Sequence, residues 1–322
     1  ARVVYDHFVE NSPISAAFAL TGSEFARFQD DPRSLLPFPL PSRVSIVPYQ
    51  LDRSKPFPVN LLRNLAIRNV NTTHFFYNDI DFLPSGMCVV LYVRISKSDE
   101  ELMRIPESFI RLPKIAIIVP AFEYMPKMKI SKDAFSRAVA AYLPSVPTTK
   151  RELAACMLLK YRNCTIFRDK AHLHVLLQPS LNMQGNLVDD WFDSKDSLLY
   201  EVPCLRGDRQ EPLGFSSCMN CRYLLVQKVD SLPLYDERFV GYGWNKVQWI
   251  EHLRYIGYRF YVFNNGFIIH CPHPEFPIPS LITIRSESQR QFGARMKQIQ
   301  RVWKAFLRDL KKETKQKGTP IC

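Results

Sequence analysis

The sequence predicts an α/β fold built on a mainly parallel central sheet, followed by a basic amphipathic helix. Three observations carry that expectation. Apolar runs of strand length alternate with helical segments through the first 123 residues. The same rhythm returns after residue 222. The last segment, 285–322, repeats Met296, Ile299, Val302, Trp303, Phe306 and Leu310 at helical spacing, with Lys and Arg between them.

The elements follow in order. Ile14–Leu20 reads as a buried strand and Ser23–Gln29 as a helix. Asp30–Ser42 is proline-rich and reads as a surface connection. Arg43–Tyr49 is a second strand. Pro58–Asn69 is a helix with proline in its first turn and Leu62, Leu65, Ala66 and Asn69 on one side. His74–Asn78 is a third strand that runs into Asp79-Ile80-Asp81, and Lys114–Pro120 is a fourth. The middle of the chain is less regular: Lys150–Lys160 reads as a helix and Ser180–Asp196 as a loop. Arg222–Lys228 is a strand and Trp244–Ile256 a helix stopped by Gly257. Arg259–Phe263 and Phe267–His270 read as strands joined tightly through Asn264-Asn265-Gly266.

Composition bounds the partners. With 46% hydrophobic residues the chain is not disordered, and no apolar run is long enough to cross a membrane. The net charge is +12, but 285–322 holds eleven Lys/Arg against three Asp/Glu, so this tail alone carries +8. A nucleic-acid groove needs its cations on the folded core, so no nucleic-acid partner is expected. The tail reads as a docked helix with a solvated basic face. Attraction to acidic glycans or anionic headgroups is the sharper alternative. Eight cysteines permit disulfides that a chain of this length does not need, and two N-glycosylation sequons, at Asn71 and Asn163, fit a secretory compartment. Cys218-Met-Asn-Cys221 has zinc-like spacing but no second such pair; Cys271, His270 and His273 are the residues that could complete a site, and a disulfide or plain thiols are expected instead.

The sharpest chemical feature is Asp79-Ile80-Asp81. Along a strand, this spacing points both carboxylates the same way. Two buried like charges are costly unless a cation joins them, and Mn2+ or Mg2+ suits carboxylate ligands and bridges to phosphates. A strand-end turn pair is the plain alternative. His270 ends another apolar strand and His273 follows; imidazole beside carboxylates suits Mn2+. Asn60, Arg63, Asn64 and Arg68 share the helix after the second strand, where Arg63 suits a diphosphate. The alternative is a solvated helix face. Val240–Lys246 (VGYGWNK) combines glycines for close backbone approach with aromatics suited to sugar stacking; an ordinary turn with core aromatics fits equally. No G-x-S-x-G, P-loop or G-x-G-x-x-G is present.

Taken together, Pro58–Ala66, Phe76–Ser85 (FYNDIDFLPS), Val119–Glu123 (VPAFE), Tyr235–Ile250 (YDERFVGYGWNKVQWI) and Phe267–His273 (FIIHCPH) resemble glycosyltransferase family 49. That family includes glucuronyltransferases that build the matriglycan of dystroglycan. The resemblance implies a GT-A fold with an added acceptor-side region, a UDP-sugar donor, a Mn2+ (or Mg2+) ion and inversion at the anomeric carbon. It implies one catalytic domain over 1–322, with a nucleotide-sugar half (1–123), an acceptor half (124–284) and the basic helix (285–322). Asp79, Asp81, His270 and His273 match the metal-site motifs, and Arg63, Asn64, Asp79 and Asp81 the donor side. Tyr242, Gly243, Trp244, Asn245 and Lys246 match the loop expected to meet the acceptor. An inverting transfer needs a general base; Glu211 is the first candidate, then Asp236 and Glu237, with Glu123 another. A glucuronate donor calls for a cation, and Lys246 or Arg238 is expected to supply it. The partners implied are a UDP-sugar and a glycan or glycoprotein acceptor. The location implied is the Golgi lumen, with membrane association only through a segment outside this chain. The competing readings are a catalytically silent glycan-binding relative and, further off, a basic nucleic-acid-binding module.

Overall fold

A computed structural model describes residues 13–32, 41–79, 82–85, 105–125, 143–158, 163–166, 199–201, 223–241, 243–264, 266–271 and 289–313. The loop expected at Ser180–Asp196 and the Cys218/Cys221 pair lie outside them.

The chain opens with strand β1 (Ile14–Leu20), helix α1 (Gly22–Asp30), strand β2 (Val44–Gln50) and helix α2 (Val59–Arg68). β1 and β2 pair in parallel, Ile14 opposite Val44. The Ser15 hydroxyl donates to the Ala66 carbonyl of α2 at 2.7 Å, and Asn69 donates to Ser15 and Ser45, so the strand pair carries α2 against it.

Strands β3 (His74–Phe76), β4 (Phe82–Pro84), β5 (Ile115–Ile118), β6 (Ala121–Tyr124) and β7 (Cys164–Ile166) follow, with helices α3 (Glu107–Ile110) and α4 (Lys150–Leu158) between them. Strand β8 (Leu199–Glu201), strand β9 (Leu224–Gln227), helix α5 (Asn245–Tyr255), strand β10 (Arg259–Phe263), strand β11 (Ile268–His270) and helix α6 (Gln289–Glu313) complete the order. Five strands form one sheet in the order β3-β9-β5-β10-β8, and four form another, β4-β11-β6-β7.

The architecture is α/β with mixed sheets. Among the described strands of the larger sheet only β5–β10 is parallel, so the expected mainly parallel sheet is not what they show. The reason is β9: it enters from the second half of the chain and runs antiparallel to both β3 and β5. The tight β10–β11 hairpin is also not formed, because the two strands belong to different sheets. β5 continues into β6 just as β10 continues into β11, and both neighbouring pairs are parallel. Pro120, which has no N–H to donate, sits at the crossing, and its carbonyl accepts from Ile268 at 2.8 Å.

Burial follows from this arrangement. On β5, Ala116 and Ile118 pack into one apolar cluster while Ile115 and Ile117 pack into the other, as strand alternation requires. A strand covered on both faces must be apolar throughout, which is why Ile115–Ile118 carries no polar residue. Cys156 of α4 and Cys164 of β7 form a disulfide, with Cα atoms 5.4 Å apart. Cys271 is buried.

Helix α6 docks as expected. Trp303, Phe306 and Leu310 are buried against Phe239, with Trp244, Val247 and Tyr255 around them. Lys297, Arg301, Lys304, Arg308, Lys311 and Lys312 are exposed on its outer side.

His252 of α5 faces Phe306 at 6.0 Å, and burial lowers its pKa, although Glu313 and Asp236 oppose the shift. Burial also lowers His74, whose Nε2 lies 3.0 Å from the Ile110 carbonyl oxygen. A histidine held neutral in the fold takes up its proton first in the unfolded chain. Stability is therefore full above about pH 6.5 and falls as acidification proceeds toward the lower folded values. The melting temperature is expected to drop between about pH 6.5 and pH 5, before carboxylates titrate. The double substitution His74→Gln/His252→Gln should flatten that slope in a thermal melt series. An unchanged slope would assign the acid sensitivity elsewhere.

Candidate active site

The site forms where β3 leaves its sheet. The β3–β9 ladder extends to Tyr77, whose N–H donates to the Leu224 carbonyl at 3.1 Å. The chain then turns: Phe82 N–H donates to the Asp79 carbonyl at 3.2 Å, and the Asn78 amide to the Phe82 carbonyl at 3.2 Å. Asp79 therefore opens a turn and is not a residue of a continuing strand, so the strand argument for paired carboxylates does not apply at this position. Asp81 lies outside the described residues.

The Asp79 carboxylate is the focus of a compact polar cluster. Tyr77 donates to its Oδ1, and Tyr223 donates to its Oδ2 at 3.0 Å. The Lys246 ammonium also donates to Oδ2 and to the Tyr223 hydroxyl, the latter at 2.9 Å. Arg63 places Nη2 3.9 Å from Oδ1, an ion pair without a hydrogen bond. Both cations lie over aromatic rings. Arg63 sits 5.1 Å from the Tyr77 centroid and 5.2 Å from that of Tyr235, and Lys246 sits 4.3 Å from that of Tyr223.

The electrostatics follow from burial and charge. Burial works against the Arg63 guanidinium, but Tyr77, Tyr235 and Asp79 outweigh it and raise its pKa. Burial raises the Tyr77 phenol, with Asp79 adding and Arg63 opposing, so the phenol keeps the proton it donates. Tyr235 is raised for the same first reason. Two cations thus surround one described carboxylate, an arrangement suited to receiving further negative charge.

A scaffold of amides holds Arg63. Asn60 accepts from Arg63 Nη1 at 2.9 Å and donates to the Asp236 carbonyl at 2.8 Å. Asn64 is buried and bonded to one segment: it donates to the Tyr235 carbonyl and to Glu237 Oε1, and accepts from Tyr235 N–H. The structure thus brings Arg63 to the Asp79 cluster and sets Asn64 to pinning 235–237. The Asp236 carboxylate is gripped by Arg238 through both oxygens, and Arg238 also donates to Asp309 of α6 at 2.7 Å. This draws Arg238 toward α6. Glu237 is exposed.

The glycine-aromatic loop is braced by α6. Gly241 N–H donates to the Phe57 carbonyl at 2.8 Å, and Asn245 donates to the Gly241 carbonyl at 2.9 Å. Gly243 has φ +121°, and a Cβ there would stand 2.8 Å from Ile299 of α6. Trp244 caps α5 in the left-handed region, φ 53°, with its ring edge-on to Trp303 at 5.4 Å. Trp244 therefore packs toward α6, while Lys246, two residues on, reaches Asp79.

His270 lies on the smaller sheet. Its register partners are Glu123 on β6 and Phe82 on β4, and Phe82 directly follows Asp81 in the chain. His270 Nδ1 is 3.8 Å from Glu123 Oε1. Among the described residues no group of three or more His, Cys, Asp or Glu gathers as a metal site. Glu211, Tyr242 and His273 lie outside the described residues. Sequence reasoning gave no role to Tyr77 and Tyr223. The signal for Tyr77 was available: it stands two residues before Asp79, the spacing that puts side chains on one side of an extended chain. Nothing local marks Tyr223, which directly precedes β9.

The sequence profile of the family described as "Glycosyl-transferase for dystroglycan", glycosyltransferase family 49, matches residues 23–172 and 224–280. The chain is 30% identical over 292 residues to the zebrafish (Danio rerio) "Xylosyl- and glucuronyltransferase LARGE1", covering 89% of this chain and 31% of that protein. It is 30% identical to the human protein of that name over 76% of this chain and 25% of the relative. It is 32% identical to the chicken (Gallus gallus) "Xylosyl- and glucuronyltransferase LARGE2s" over 69% of this chain and 24% of that protein. The chain therefore spans about a third or less of the length of these relatives. The matched ranges contain Arg63, Tyr77, Asp79, Lys246 and His270, and Tyr223 directly precedes the second of them. With its two matched ranges covering well over half of the sequence, the chain belongs to glycosyltransferase family 49.

Proposed function

We propose that this chain is the catalytic domain of a metal-dependent inverting glycosyltransferase. It would move a sugar, glucuronic acid first, from a UDP donor to a glycan acceptor, on a GT-A-type scaffold. The observation that carries the reading is the Asp79 carboxylate, set at a sheet end between Arg63 and Lys246, in a member of this family. A glycan-transferring member is expected in the Golgi lumen, and the Cys156–Cys164 disulfide fits an oxidising compartment.

Asp79 and His270 carry donor types that suit a divalent cation, although among the described residues they gather with no third such group. Asp79 is a partly exposed carboxylate that already attracts a cation at Oδ2, and His270 stands in register with the residue after Asp81. Asp79, Asp81, His270 and His273 would hold the ion. When bound, it supplies positive charge to the departing diphosphate. Arg63, fixed by Asn60 and Tyr77, orients the donor's diphosphate. Lys246 is the cation placed to meet a uronate carboxylate, since Arg238 is engaged by Asp236 and Asp309. The acceptor would be met by the loop that carries Gly243 and Asn245, since Trp244 packs on α6 and Lys246 turns to Asp79. For the general base Glu211 is the first choice. The grip of Arg238 on Asp236 favours a structural role for that carboxylate, and Glu237 and Glu123 follow.

The test is UDP release from a panel of UDP-sugars. One donor, UDP-glucuronate first, is expected to be hydrolysed slowly with Mn2+, and a chelator should stop it. UDP and Mn2+ binding without turnover of any donor, with or without glycan acceptors, would favour a silent glycan-binding relative. Absence of UDP binding by calorimetry would overturn the transferase reading.

A further inference from the structure

Lys246 stands where it obstructs one ligand and serves another. Its ammonium donates to Asp79 Oδ2, the same carboxylate proposed for the divalent ion. Its side chain is 13% exposed and that of Asp79 30% exposed, so solvent screens their interaction only partly. An ammonium and a divalent cation cannot both sit against one carboxylate oxygen without strong repulsion in such a site. Asp79 is not the only group that holds Lys246. Its stem rises from the first turn of α5, and its ammonium lies against Tyr223 and 5.6 Å from the Tyr77 centroid. It can swing off Asp79 and remain over a tyrosine face. What it needs in exchange is another anion, and a UDP-sugar carries one in its diphosphate or in a uronate carboxylate. Arg63 cannot make the same exchange, because Asn60 and the Tyr77 hydroxyl hold its guanidinium from two sides.

We propose that Lys246 is a displaceable counter-ion that makes binding of a divalent cation at Asp79 and binding of an anionic nucleotide-sugar mutually dependent. Without donor, Lys246 neutralises Asp79 and weakens the metal site. With donor, Lys246 pairs with the donor's anionic oxygens and releases Asp79 to the metal. Each ligand then strengthens the other by the same factor, as linkage requires. The inference rests on the metal-dependent transferase reading above and adds an order to it: the enzyme would stay largely metal-free until a donor arrives.

The experiment is Mn2+ binding, followed by the loss of the free-ion paramagnetic resonance signal, on wild type and Lys246→Met. Methionine keeps the length and apolar stem of lysine and removes the charge. Without nucleotide, Lys246→Met should bind Mn2+ about tenfold more tightly than wild type or better. UDP should tighten Mn2+ binding about tenfold or more in wild type and by a much smaller factor in the variant. Lys246→Arg should behave as wild type. If Lys246→Met does not fold, Lys246→Gln is read the same way. Equal Mn2+ affinity in wild type and neutral variants, or an undiminished UDP effect in them, overturns the counter-ion role while leaving the metal site standing. If wild type binds no Mn2+ even with saturating UDP, the metal reading fails and the counter-ion role with it. Comparing UDP, UDP-glucose and UDP-glucuronate separates the two anion sources. An equal effect of all three assigns the partner of Lys246 to the diphosphate, and an excess with UDP-glucuronate assigns it to the uronate carboxylate.

Discussion

Trp303→Ala is expected to lower the unfolding free energy by about 3–5 kcal/mol, the usual cost of emptying a buried aromatic site. The ring is 8% exposed and forms the centre of the α6 dock, meeting Trp244, Phe239 and Phe306 at 5.4, 6.2 and 5.6 Å. Two routes run from this dock to the site. One is apolar: Trp303 and Ile299 brace Gly243 and Trp244, just ahead of Lys246. The other is polar: Asp309 to Arg238 to Asp236, whose carbonyl anchors Asn60, which holds Arg63. Chemical denaturation checks the stability loss. The second expectation is that donor turnover falls more than the folded fraction does, because both cations of the site lose support. Trp303→Phe should recover most of the stability. A change below about 1 kcal/mol would mean that α6 is not anchored through this ring.

With Asp79 as the proposed metal ligand, Asp79→Asn is expected to reduce donor turnover at least about a hundredfold, since even the partners of metal ligands cost ten- to a hundredfold when removed. The substitution preserves shape and removes the one described carboxylate between Arg63 and Lys246. Both cations retain other partners, Asn60 and Tyr77 for Arg63 and the Tyr223 hydroxyl for Lys246. The stability loss is therefore expected to stay near 1–3 kcal/mol, roughly the cost of an unsatisfied polar contact. Steady-state UDP release and a denaturation curve on the same preparation separate the two effects. Wild-type turnover in the variant would remove Asp79 from the reaction.

Much of the local structure was legible because it is written in periodicity. Ile14–Leu20, Arg259–Phe263 and the amphipathic run through Leu310 form the elements their patterns predict. The α2 helix lies within a residue of its expected bounds, with Pro58 at its N-cap and not in its first turn. Asp79, Arg63 and His270 are marked by charge and position, and Lys246 by the family resemblance. Their mutual arrangement was not legible. The sequence suggested a glycan-facing loop at Lys246 and a donor-facing role for Asn64; the structure sets Lys246 on Asp79 and Asn64 on residues 235–237.

What the sequence by itself determined is the element types, the docked basic helix, the family and the residue kinds at the site. These depend on spacing within a few turns or strand repeats, which any local reading samples. Only the tertiary structure decided the strand directions, the split of β10 and β11 between two sheets, and the company Asp79 keeps. Tyr223 and Lys246 reach Asp79 from 144 and 167 residues away along the chain. Such contacts are fixed by how β9 inserts between β3 and β5 and by how α6 braces the loop before α5. No local pattern encodes either, because the free energy that selects them comes from burying both faces of a shared sheet.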